Sequence, residues 1–214
     1  MNALIPLHEE ILACRRCEAE GFILPAAPVV SGPVMSRIML IGQAPGRVEL
    51  VERRPFQGKA GRVLFTWLRS VGIHEDEFRE SVYMTAITKC FPGPAAGGNG
   101  DRRPSAREIA LCRPFLDRQL EIVRPAVILL VGGLAIERFL PKAPLADLVG
   151  RRIEQDGRMY IPLPHPSGAS RWLNHPEHKE LLARAMEQVR DAWTGLGESR
   201  GEDVRQRTVV AAGA

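Results

Sequence analysis

Long apolar runs are missing from this sequence. Nothing in it approaches the roughly 18 consecutive apolar residues of a membrane-spanning helix, and the opening MNALIPLHEE has no basic segment ahead of an apolar one. Neither a membrane anchor nor a secretory leader is expected, and the expected setting is cytoplasmic. Charge of one sign is also scarce: 29 Lys plus Arg stand against 25 Asp plus Glu, a net +4, with a pI near 9.1. So small an excess permits a polyanionic partner without demanding one, because what matters is how the charges cluster. Low hydrophobicity with high net charge, the signature of disorder, is absent, since 45% of the residues are hydrophobic. Cysteine is sparse, four in 214 residues. A chain of this length buries about 70% of its unfolded surface and needs no disulfide staples, so four Cys in a reducing compartment read first as metal ligands or reactive thiols. No internal repeat is visible. The two standard phosphate loops, GxGxxG and GxxxxGK followed by Ser or Thr, are not matched.

Four short apolar runs read as strands: Arg37 to Gly42, Val82 to Thr88, Ala126 to Gly132 and Met159 to Leu163. Each is nearly continuous rather than alternating, as in parallel strands buried on both faces. Helical periods lie between them. One stripe carries Val63, Leu64, Trp67, Leu68 and Val71. A second follows a capping box of Ser105 and Glu108, with Ile109, Cys112, Phe115, Leu116 and Leu120 on one face. Leu4 to Cys14, Gly133 to Leu140 and the segment from Pro176 also read as helices. The expected fold is therefore a single three-layer α/β domain, with a four-stranded parallel sheet flanked by helices. The domain is expected over residues 1–195 and a poorly ordered tail over 196–214, in a monomeric protein. Ligands in such folds bind beyond the carboxyl ends of the strands.

The unusual sequence lies at those ends. Cys14 and Cys17 form CRRC, Cys90 follows the second strand, and Cys112 lies on the next helix. A close pair plus two separated Cys can converge on structural zinc or on a [4Fe–4S] cluster, and spacing alone does not separate the two. The loop GQAPGRVELVERRPFQGKAG follows the first strand, its Gly and Pro allowing close backbone approach to a ligand. From Arg53 through His74 there are five Arg or Lys and no Asp or Glu, a local excess suited to nucleic acid. Phe56 stands outside any helical stripe; it is a lid over the core or a stacking face for a planar base. In LPHPSGASRW, Pro164 and Pro166 restrict the backbone around His165, as suits a side chain held for electrostatic work. Ser167, Gly168 and Ser170 suit a phosphate backbone, and Arg171 adds charge.

Together CRRC, GQAPG, RPFQGKAG, TKCFP, CRPFL and HPSGASR, in this order and over roughly residues 10 to 193, resemble the uracil-DNA glycosylase superfamily, specifically its iron–sulfur family 4 branch. The resemblance implies a [4Fe–4S] cluster on Cys14, Cys17, Cys90 and Cys112, and a pocket for a base rotated out of DNA. It implies that Phe56 stacks on that base, that His165 donates to uracil O2, and that HPSGASR sits in the minor groove beside the gap, where Gly168, Ala169 and Ser170 replace the usual bulky apolar wedge and Arg171 is the candidate to fill that role; Lys59 is a further candidate DNA contact. Gly42, Ala44 and Pro45 would line the base pocket. Two departures bear on chemistry. Family 4 generally has Glu where this chain has Gln43, an amide that cannot act as a general base, so Glu49 becomes the nearest candidate carboxylate for positioning water, with Glu52 in reserve. Ala86 stands where an Asn typically pairs with the uracil edge, as in the broader-specificity family 5. The implied activity is a monofunctional glycosylase acting on DNA that contains uracil or other deaminated bases. The alternative kept beside it is a non-catalytic module that binds damaged DNA.

Overall fold

Continuous apolar runs become strands buried on both faces. The computed structural model describes residues 3–22, 25–32, 34–97, 100–167 and 171–211, with the backbone alone beyond 195. In chain order the elements are α1 (Leu4–Leu12), α2 (Arg16–Ala19), β1 (Ile38–Gly42), α3 (Arg47–Glu52), α4 (Lys59–Ser70), α5 (Glu75–Ser81) and β2 (Tyr83–Ala86). After them come α6 (Ala106–Val123), β3 (Val127–Val131), α7 (Gly133–Phe139), α8 (Leu145–Leu148), β4 (Ile153–Gln155), β5 (Arg158–Leu163) and α9 (Pro176–Ala211). The strand order is β2-β1-β3-β5-β4. The first four of these strands are mutually parallel, and β4 pairs antiparallel with β5 through Ile153↔Tyr160 and Gln155↔Arg158.

The expected four-stranded parallel sheet therefore gains a fifth, antiparallel edge strand. Its three residues, IEQ, are half-buried to exposed and carry no apolar run. The one feature that could have marked it is the turn. Asp156 and Gly157 both have positive φ, 52° and 70°, as a two-residue hairpin loop requires and as an Asp-Gly dipeptide favours.

Alternate residues of β1 feed two cores. Ile38 and Leu40 pack with Leu64, Phe65 and Leu68 of α4, Phe78 of α5 and Met186 of α9. Met39 and Ile41 pack with Leu4 of α1, Leu116 and Leu120 of α6 and Leu134 of α7. Each such side chain, fully buried, contributes about 1.5–3 kcal/mol. The α4 stripe is rotated from its expected phase, with Phe65 buried and Val63 37% exposed. The cause is α5, whose polar sequence hides Phe78, packed edge-on to Phe65 with ring centres 6.1 Å apart. The capping box of α6 forms as expected, Ser105 and Glu108 bonding reciprocally. Among the described residues no helix is long and apolar enough to cross a membrane.

Chain direction reverses between β1, which leads outward to β2, and β3, which leads the other way to β5. In open parallel sheets that reversal opens a crevice at the strands' carboxyl ends. The segments beginning at Gly42, Ile87, Gly132 and Pro164 all start there.

Candidate active site and thiol centre

The loop after β1 is built around one carboxylate. Glu49 is buried and sits in the first turn of α3. Its Oε1 accepts the N–H of Gln57 and of Gly58, both at 2.8 Å, and its Oε2 accepts the N–H of Gly46 at 3.0 Å. One side chain thus joins the GQAPG turn to the RPFQG turn. Asp101 comes in from the far side: a Cβ on Gly46 would lie 2.8 Å from both Asp101 Oδ2 and Glu49 Oε2. Burial, and then the neighbouring Glu49, push the Asp101 carboxyl above its ordinary range, against the opposing effect of Arg47. Nothing in the sequence marks Asp101, which follows a Gly-rich run and meets Glu49 only through the fold.

Gly42 and Gln43 close the base of the crevice through their carbonyls, which accept the N–H of Ile87 at 2.9 Å and of Thr88 at 3.2 Å. Ala86 ends β2 in register with Gly42. Phe56 is half-buried and has a left-handed backbone, φ 55°. Its ring lies against Gly42, where an added Cβ would come within 2.9 Å of Cζ. The GQAPG and RPFQG turns and the end of β2 therefore meet at one point. Ala44 is half-buried and Pro45 buried beside them, while Glu52 and Lys59 are exposed, at the end of α3 and the start of α4.

His165 follows β5 and packs on Gly132, the residue that links β3 to α7. Gly132 has φ 88°, and a Cβ there would lie 2.7 Å from His165 Cδ2. Glycine is required twice over, by its backbone and by the ring. The Ser167 N–H donates to His165 Nδ1 at 3.2 Å. With Nδ1 as acceptor, the proton of the neutral ring resides on Nε2. Burial alone holds the imidazole below the ordinary 6.5, so the neutral donor form is favoured. Ser167 is half-buried and Arg171 exposed; Gly168 and Ser170 lie outside the described residues.

Cys14, Cys17, Cys90 and Cys112 line a single cavity with Ile11, Phe115 and Thr88. All four are free thiols. Burial, followed by the neighbouring Cys112, pushes the thiol of Cys17 up to about 11 and that of Cys90 to about 12. Burial raises Cys112 too. The Lys89 N–H donates to Cys112 Sγ at 3.3 Å, and the Ala27 N–H bonds Cys90. Thr88 Oγ1 is buried without a hydrogen-bond partner in this same cavity. Four converging sulfurs, an apolar wall, N–H donors at sulfur and an orphaned hydroxyl make a donor set that fits a metal group held by cysteine sulfur. Among the described residues no three His, Cys, Asp or Glu side chains are already set as a ligand group for a single ion.

Comparison with known proteins gives the following likenesses. Residues 29–190 match the family model described as the uracil DNA glycosylase superfamily. The chain is 28% identical to a type-4 uracil-DNA glycosylase of Sulfurisphaera tokodaii, over 89% of this chain and 85% of that protein. It is 33% identical to the type-4 uracil-DNA glycosylase of Thermotoga maritima, over 83% and 88% respectively. A crystal structure of wild-type SMUG2 from Pedobacter heparinus aligns with a TM-score of 0.44 and 14% identity, over 77% of each chain.

Proposed function

The chain belongs to the uracil DNA glycosylase superfamily, and from that premise we propose that it excises uracil from DNA by hydrolysing the N-glycosidic bond, leaving an abasic site. The observation that carries this reading is the family match across residues 29–190, a span that includes the Glu49 loop, Phe56 and His165. A base rotated out of the duplex costs a few kcal/mol of unstacking, least where pairing is already weak. Phe56 returns part of that by stacking, worth about 1–3 kcal/mol per base.

As the bond from N1 of uracil to C1′ of the sugar breaks, its electron pair leaves with the base. Negative charge grows on uracil O2, and His165 Nε2–H is the donor that meets it. A neutral donor suits this task because it stabilises the anion without first having to be protonated. The sugar becomes oxocarbenium-like, and water adds at C1′. Glu49 Oε2 accepts one N–H against two at Oε1, so it retains a lone pair to orient that water, and Gln43 in the same loop supplies a neutral amide rather than a base. Lys59, Ser167, Gly168, Ser170 and Arg171 hold the phosphates. Backbone groups of Gly42, Ala44 and Pro45, with Ala86 in place of an amide side chain, read the base edge. Discrimination against other deaminated bases is correspondingly weak.

Cys14, Cys17, Cys90 and Cys112 hold a [4Fe–4S] cluster in this reading. When bound, it supplies a cross-link between the N-terminal segment, the end of β2 and α6 rather than a chemical step.

The test is incubation with single- and double-stranded oligonucleotides carrying uracil, hypoxanthine or xanthine, followed by alkaline cleavage of abasic sites. Strand scission at uracil is expected, with measurable scission at a second deaminated base. Absence of product from all three overturns the activity.

A further inference from the structure

Phe56 holds a conformation that an L side chain rarely adopts, φ 55°, and such a residue persists only where its surroundings impose it. The element that imposes it is α5, whose sequence EDEFRES is mostly charged. Arg79 is the exception on that helix, its side chain only 5% exposed. The guanidinium donates Nη1–H to the Pro55 carbonyl at 2.8 Å and Nη2–H to the Phe56 carbonyl at 2.9 Å. Its Nε–H goes to Glu75 Oε1 at 2.8 Å, and its face lies 4.5 Å from the centre of the Phe65 ring. Two consecutive carbonyls are thus gripped by one planar fork, a geometry the single point charge of Lys cannot reproduce. Gly61 closes the opposite side: a Cβ there would come to 1.9 Å from the Phe56 carbonyl oxygen. Arg79 and the Gly61 backbone thus both crowd the Phe56 carbonyl, and in this turn the ring lies beside Gly42.

We propose that Arg79 is a positioning residue for base capture: it locks the Pro55–Phe56 turn so that the Phe56 ring is already in place when the base arrives. Arg79 does not touch the base; it acts through Phe56. The proposal rests on the reading of Phe56 as the stacking face, and its test separates the two.

Single-turnover excision of uracil is compared for Arg79→Lys, Phe56→Ala and the double variant, alongside denaturant unfolding of each. Misplacing a positioning group costs about 10- to 100-fold, so Arg79→Lys is expected to lose about tenfold and Phe56→Ala at least as much. The double variant is expected to match Phe56→Ala within about twofold, because a residue that acts only through Phe56 has nothing left to act on. A purely structural Arg79 gives a different result. The tenfold loss then repeats in full on the Phe56→Ala background, which overturns the proposal. Wild-type excision by Phe56→Ala instead overturns the stacking reading, and the Arg79 proposal with it. If Arg79→Lys does not fold, Glu75→Gln loosens the guanidinium from an exposed position. A loss of a few-fold that vanishes on the Phe56→Ala background supports the proposal, and a loss that persists there overturns it.

Discussion

At the scale of single residues, His165 and Gly132 form one unit. Removing the imidazole removes a preorganised donor, so His165→Ala is expected to lower single-turnover uracil excision by about 100-fold or more. An unchanged rate would take His165 out of the mechanism. Gly132→Ala is expected to come close to that loss without touching the ring's chemistry, because a methyl there competes for the space of Cδ2. A crystal structure of the variant should show the imidazole displaced; activity near wild type with an undisplaced ring contradicts the pairing. The pH dependence follows from the same burial. The folded imidazole titrates below its ordinary 6.5, and protonation at Nδ1 would break the bond from Ser167. Excision is therefore expected to hold steady as pH falls to 6.5 and to decline only below it. Linkage has the same sign. The unfolded chain takes up this proton first, so the stability from a neutral His165 is complete above 6.5 and is lost as pH falls through the window down to the folded value. Both effects should be missing from the pH profile of His165→Ala.

At the scale of elements, the start of α6 is where loop and helix are joined. Glu108 is 1% exposed, accepts both Nη groups of Arg102 at 2.7 Å, and closes the capping box with Ser105. Burial acts to raise its pKa, but the bonds from Arg102 and Ser105 outweigh that and hold it below the usual 4.5. Glu108→Gln is expected to cost roughly 2 kcal/mol, short of a fully buried pair because the Arg102 side chain is 32% exposed. Urea unfolding at neutral pH reads this directly. The loss should shrink in acid, since the wild-type advantage is complete above 4.5 and is lost as pH falls through the lower folded value. A constant difference down to strong acid would count against the ion pair. This capping box was legible in the sequence because its parts are three residues apart. So were the four parallel strands and α6, whose apolar periods are long. Strand β4 and the role of α5 were not. One has three residues of which only Ile153 is apolar, and the other hides its working residues, Phe78 and Arg79, among acidic neighbours that show no stripe. Gly132 and Asp101 were illegible for another reason: each acts on a partner more than 30 residues distant, and only the strand order brings them together.

At the scale of the whole molecule, the four thiols join regions that hydrophobic packing holds unevenly. Residues 38 to 189 supply most of two large cores, and of α1 only Leu4 enters one of them. The α1 end adds a small cluster of Leu7 and Ile11 against Cys112 and Phe115. Its polar ties to α6 include the Arg118 pair with Glu10, which lies on the surface and contributes little. A group bound by Cys14, Cys17, Cys90 and Cys112 binds the native state far better than the unfolded one, and so stabilises mainly the attachment of this segment. Cys112→Ser is therefore expected to purify with less than the roughly four iron per chain of a [4Fe–4S] protein. Limited proteolysis should then cut near residues 14–30 before the sheet unfolds, while the surviving core keeps His165, Phe56 and Glu49 in place. Stability should fall before the rate constant per folded molecule does. Wild-type protease resistance in the iron-poor variant would show that packing alone secures the N-terminal segment. Loss of excision from a variant that stays folded and protease-resistant would instead place the thiol centre in the chemistry. Isosteric Thr88→Val distinguishes the two further. If its hydroxyl serves the bound group, iron is retained less well in air while urea stability of freshly loaded protein is unchanged; if Thr88 is only packing, iron retention is unchanged and losing an unpaired buried hydroxyl raises urea stability.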